Sequence, residues 1–123
     1  MAKAVHNDVI DAALAVVRAG VTRMVALAAE PVDYAAANAG VLANIVMAPA
    51  DFTIADGAMS GRRASVAAKA GVSITATGTA THVALLDAPN VKLLYVTTCP
   101  AQALTSGGTV SFAAWDIEIG DPV

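Results

Sequence analysis

The sequence predicts a mainly β protein, an antiparallel β-sandwich or a barrel-like meander, with one α-helix at its amino end. Short runs rich in Val, Ile and Thr recur at near-regular spacing after Asp51. Gly71, Gly78, Pro89-Asn90 and Gly107-Gly108 separate them, as turn residues separate strands. The clearest helical periodicity, by contrast, stands near the start of the chain. With 123 residues, the chain reads as a single domain over 1–123, with the helix at about 8–19 and the β-rich body at about 51–120.

The helix is expected from Asp8 to Ala19. Asn7 or Asp8 can cap it, Asp8 and Asp11 put negative charge on its first turn, and Arg18 and Gly20 mark its end. Val9, Ala13 and Val16, with Ile10, Leu14 and Val17 on the adjoining row, form a wide apolar stripe. A helix apolar on more than one side is expected to be packed, not free. Thr22 to Ala29 reads as a strand ended by Glu30-Pro31. Alanines favour a short helix around Tyr34–Ala39, while Gly40 and the run Val41–Met47 allow irregular or extended chain closed by Pro49.

Asp56-Gly57 and Ser60-Gly61 are turn signals, and Arg62 to Ala70 alternates small apolar with polar residues. Strands are expected over Val72–Thr77, Thr79–Asp87 and Val91–Thr98, then a last one over Thr109–Ile119 after Gly107-Gly108. In that last strand Val110 and Phe112 share one face by parity, but Trp115, Ile117 and Ile119 fall on the other. A bulge near Ala113–Ala114 would return all five to the core and leave Asp116 and Glu118 outside.

Composition narrows the function. Apolar residues make up 57% and charged residues 14%, against roughly 25% charged in an ordinary domain. Aromatics are 4% and much of the apolar share is alanine, so the core is broad and thin. A short chain with so few charges has trouble covering its own surface. An apolar interface with copies of itself or another partner is the expected outlet. The net charge of −3 and the scatter of basic residues beyond Arg62–Arg63 argue against nucleic acid. Cys99 is the single cysteine, so no internal disulfide is expected, and a buried inert thiol is favoured over a reactive one. Met1 to Asp8 has no long apolar core of a secretory signal. The uncharged stretch Tyr34–Ala50 is broken by Asn38, Gly40, Asn44 and Pro49 and is shorter than the roughly 20 residues that span a bilayer. No membrane segment is expected.

The search for chemistry yields no catalytic, cofactor or metal residues. Nucleophilic catalysis needs a histidine placed as base, and only His6 and His82 exist. His6 precedes the first helix; His82 sits mid-strand on a face shared with Ala80, Ala84 and Leu86, where a hydrogen-bonded or subunit-contacting histidine is the favoured reading. Gly57-Ala-Met-Ser-Gly61 misses the spacing of a nucleophile elbow by one residue. Two histidines and one cysteine match no zinc spacing, and Asp51 with Asp56-Gly57 lacks the alternating acids of a calcium loop. Asp116 and Glu118 lie two apart beside Asp121 and read as an exposed acidic end, not an acid–base pair. No glycine pattern makes a phosphate loop. The residues expected to touch partners are Asp56, Arg62 and Arg63 at the turn, His82 on its sheet face, and Asp116 and Glu118 in the last strand.

Four segments taken together carry a resemblance. They are Ala55-Asp-Gly-Ala-Met-Ser-Gly-Arg62, Gly78-Thr-Ala-Thr-His-Val-Ala-Leu-Leu-Asp87, Leu93-Leu-Tyr-Val-Thr-Thr-Cys99 and Trp115-Asp-Ile-Glu-Ile-Gly-Asp-Pro122. With the opening helix Asp8-Val-Ile-Asp-Ala-Ala-Leu14, the chain resembles a family of small virion proteins of tailed bacteriophages and prophages over nearly its whole length from Val5. The segment Ala35–Ala50 departs from it, being richer in Ala and Val where the family has more polar turn residues. The resemblance implies a virion component made in the host bacterial cytoplasm, and it carries over no catalytic residues. Within a virion the expected role is capsid decoration, in which a short self-associating cement protein gains strength by repetition across the head. Its partners would be copies of itself and the major capsid protein or other virion proteins. The alternatives are a tail or tail-tip adaptor or adhesin, and a carbohydrate-binding module.

Overall fold

A computed structural model describes residues 4–121; the readings that fall on Met1–Lys3 and on Pro122–Val123 lie outside the described residues. Its elements run α1 (Asn7–Gly20), β1 (Arg23–Leu27), α2 (Tyr34–Ala39), β2 (Val41–Val46), a 3-10 turn (Pro49–Asp51), β3 (Phe52–Asp56), β4 (Arg62–Val66), β5 (Lys69–Ser73), β6 (Gly78–Asp87), β7 (Lys92–Leu104), β8 (Thr109–Phe112) and β9 (Trp115–Ile119). The fold is mainly β, its sheets antiparallel, with one long helix at the amino end.

The cap of α1 is neither Asn7 nor Asp8 but His6, which keeps extended backbone and whose Nδ1 accepts from the Asp8 amide at 3.1 Å. Ile10 and Leu14 are buried, and Val17 packs against the core. The helix is therefore packed as expected, on one of its two apolar rows, while Val9 and Val16 on the other are each 62% exposed. The short helix α2 forms because the Asp33 carboxylate accepts from the Ala36 amide at 2.8 Å and Gly40 ends it.

The largest sheet runs β2-β1-β6-β7. The central strand β1 and the second half of β6, from Val83, are covered on both faces, which is why these stretches read as continuous apolar runs and not as alternations. On one face Met24, Ala26, Val83 and Leu85 join the main core, packed with α1 and with residues of the smaller sheets β3-β4-β9 and β5-β8. On the other, Val25, Leu27, Ala84 and Leu86 form a second cluster with Ala37 of α2. Segment 41–46, left open by the sequence, is an extended edge strand pairing with β1.

Three expectations are corrected. Gly71 does not end a strand; with φ of +66° it lies inside β5, where the register against β8 shifts between Lys69 and Val72. Strand β7 does not stop at Thr98 but continues through Pro100 to Leu104; it pairs with β6 alone, and an edge strand tolerates a missing amide hydrogen. The last strand is not one strand with a bulge. The chain breaks at Ala113–Ala114 and moves from β8, paired with β5, to β9, paired with β4 in another sheet. Phe112 and Ile117 are buried as expected, Val110 and Trp115 are half-buried against the core, but Ile119 is 38% exposed. No helix among the described residues is long and apolar enough to cross a membrane.

Candidate functional site

Of the six residues expected at partner contacts, five meet on the sheet β3-β4-β9. Antiparallel pairing sets Asp56 opposite Arg62, Arg63 opposite Glu118, and Asp116 opposite Ser65. The Arg62 Nε donates to Asp11 of α1 at 2.8 Å and its Nη1 to Asp56 at 2.6 Å. Asp11 first and Asp56 second raise its pKa further, so the guanidinium is a permanent tie between helix and sheet. Arg63 stands 3.6 Å from the Asp116 carboxylate, a longer contact, and its Nε is buried without a partner among the described residues. Glu118 reaches across to accept from the Ala58 amide in the β3–β4 turn. Much of this charge is therefore spent inside the chain.

That turn is held from several sides. The Gly57 amide donates to the Gly61 carbonyl at 3.0 Å, and the Asp121 amide donates to the Ser60 hydroxyl at 3.1 Å. Between these anchors Met59 projects with 96% of its surface exposed. Its exposure has no signal in the sequence beyond its place between two turn dipeptides.

His82 lies elsewhere. It pairs with Leu27, whose side chain belongs to the second cluster, and its Nδ1 is 2.9 Å from the Thr81 hydroxyl. The register of β6 against β7 shifts between Ala80 and His82, so Ala80 turns into the main core. The expected sharing of one face by Ala80 and His82 is corrected at that irregularity, where β6 advances from Ala80 to His82 while β7 advances from Gln102 to Thr98.

An open cleft of 490 Å³ lies between the far half of β7 and the β8–β9 segment. Thr97, Cys99, Pro100 and Leu104 line one side, and Val110, Phe112, Trp115 and Asp116 the other. It lies where β7 continues past Thr98 along β6 while the chain changes sheets at Ala113–Ala114. The Trp115 ring stacks on Tyr95, centroids 5.7 Å apart. Burial pushes the Cys99 thiol up, which keeps it neutral and a poor nucleophile. Asp116 shares the cleft, but His82 does not line it. The lining is suited to receiving an apolar group.

No cluster of three or more His, Cys, Asp or Glu among the described residues is placed to hold a metal ion. Comparison with family models, with curated proteins and with solved structures finds no match to this chain.

Proposed function

We propose that this chain is a structural virion protein of a tailed bacteriophage and, within the virion, a capsid decoration protein on the outside of the head. Its partners are then copies of itself and the major capsid protein, and it does its work by contact. The observation that carries this reading is the placement of apolar side chains where no described residue covers them. Val9 and Val16 on α1 are 62% exposed and Met59 at the hairpin tip is 96% exposed, on a chain with few charges. Such a surface favours repeated association. The test is co-sedimentation of the purified protein with tail-less heads stripped of accessory proteins. Saturable binding at a fixed ratio to the major capsid protein supports decoration; binding only to isolated tails moves the protein to the tail.

One observation favours a second reading, a carbohydrate-binding adhesin. Aromatic rings at a groove are what sugar recognition uses, and Trp115 and Phe112 line the cleft beside Thr97 and Gln102. One face of Trp115 is already taken by Tyr95, and Phe112 is 9% exposed, which leaves little ring surface for a sugar. A glycan array probed with the purified protein separates the two readings.

A further inference from the structure

We infer that copies of this chain meet head to tail, the Met59 hairpin tip of one copy entering the 490 Å³ cleft of the next. The inference rests on the reading of the protein as a self-associating component and specifies the contact. Two features with no partner among the described residues match one another in chemistry. The first is a knob. Met59 is 96% exposed, yet its turn is not loose, being tied by Glu118, by Ser60 to Asp121, and by the Gly57–Gly61 hydrogen bond. A large apolar side chain held out on a fixed turn loses little further backbone freedom on docking.

The second feature is a hole. The cleft is lined mostly by apolar groups, and its volume lies in the range of about 300–1,000 Å³ typical of small-ligand pockets. That leaves room for Met59 with Ala58 beside it. Trp115 at its wall offers a thioether the sulfur–aromatic contact that methionine favours. Charge agrees with this occupant. The tip Gly57-Ala-Met-Ser-Gly61 carries none, and Asp116 is the one charged residue among those lining the cleft. Docking therefore buries no charge on the incoming side.

The two features lie at opposite ends of one sheet. Arg62 pairs with Ile119 next to the tip, whereas Val66 pairs with Trp115 at the cleft, roughly 13 Å along the strand. A head-to-tail contact of knob and hole closes into a ring or continues as a chain, whereas reciprocal exchange about a two-fold axis would stop at the covalent dimer.

Cys99 in the cleft wall supplies the readout. In Met59→Cys, a thiol placed on the tip comes within reach of Cys99 of the neighbouring copy, and an added thiol oxidant links the two. Each copy then carries two thiols at opposite ends. The expected result is a series of covalent species beyond the dimer on a non-reducing gel, reduced to dimers at most in Met59→Cys with Cys99→Ala. The exposed position leaves folding intact, checked by an unchanged melting curve. Independently, Met59→Asp is expected to weaken self-association about tenfold or more in light scattering. An oligomeric wild-type protein whose cross-links do not depend on Cys99 overturns this contact and leaves the assembly reading standing. A wild-type protein that stays monomeric at high concentration, with no cross-link, overturns both.

Discussion

Two glycines at nearly the same backbone angle make a matched experiment. Gly61 has φ of +67° and Gly71 φ of +66°, both in the left-handed region. Around Gly71 a new Cβ would meet nothing within 4 Å, so Gly71→Ala isolates the backbone cost. That cost is about 1–2 kcal/mol for the left-handed conformation, offset by about 0.4–1 kcal/mol from a stiffer unfolded chain, leaving about 1 kcal/mol. At Gly61 the same Cβ would fall onto the Ile119 carbonyl oxygen and 2.8 Å from the Gly120 Cα, both backbone of the adjoining chain. Neither can swing aside as a side chain would, so an overpacking cost of about 1–3 kcal/mol adds, for a total of about 2–4 kcal/mol. Urea denaturation reads both. At a slope of about 1.5 kcal/mol per molar, Gly71→Ala lowers the midpoint by roughly 0.7 M and Gly61→Ala by roughly 1.3–2.7 M. Equal shifts, or a larger one at Gly71, would refute the close packing of the β3–β4 turn against the end of β9.

Further outcomes are expected from single positions. Val91 is a β-branched residue at φ of 54° with 64% of its surface exposed, so Val91→Asn should raise the midpoint of thermal unfolding, by about 1 kcal/mol of stability. Trp115→Ala is expected to cost about 2 kcal/mol, below the 3–5 of a fully buried ring, because Trp115 is half-buried at an open cleft; calorimetry should still show one cooperative transition. The hydrogen bond from Lys69, at 2.7 Å, holds the Asp51 carboxyl below its ordinary 3.8, partly opposed by burial. A depressed folded pKa means the stabilisation is fully present above pH 3.8 and is lost as pH falls through the folded value. The stability gap between wild type and Lys69→Met should therefore be constant near neutral pH and close on acidification, as followed by circular dichroism.

Local patterns in the sequence correspond to local structure. The helix α1 follows from the spacing of Ile10, Leu14 and Val17, although Gly20 is its last residue and Val21 caps it, and α2 follows from alanines between Asp33 and Gly40. Strand β6 follows from its Val, Leu and Thr content between Gly78 and Asp87. What parity cannot see is where register slips. The irregularity between Ala80 and His82 sends two residues of equal parity to opposite faces, and the break at Ala113–Ala114 changes the sheet. Exposure was equally hidden, since nothing in Val9, Val16 or Met59 as residue types says that no element covers them. The charged part of the candidate surface was visible because Asp56, Arg62, Arg63, Asp116 and Glu118 flank turn signals or alternate along a strand. The cleft was not, because its walls come from β7 and from β8–β9, which a sequence does not show to be neighbours.

The claim that this chain works as a covering part of a phage head is tested most directly by reconstructing the particle in the electron microscope and fitting this fold into its density. The account predicts repeated copies on the outer face of the head lattice, at a constant number per capsomer. Finding the fold only in the tail, or absent from the assembled particle, would contradict it.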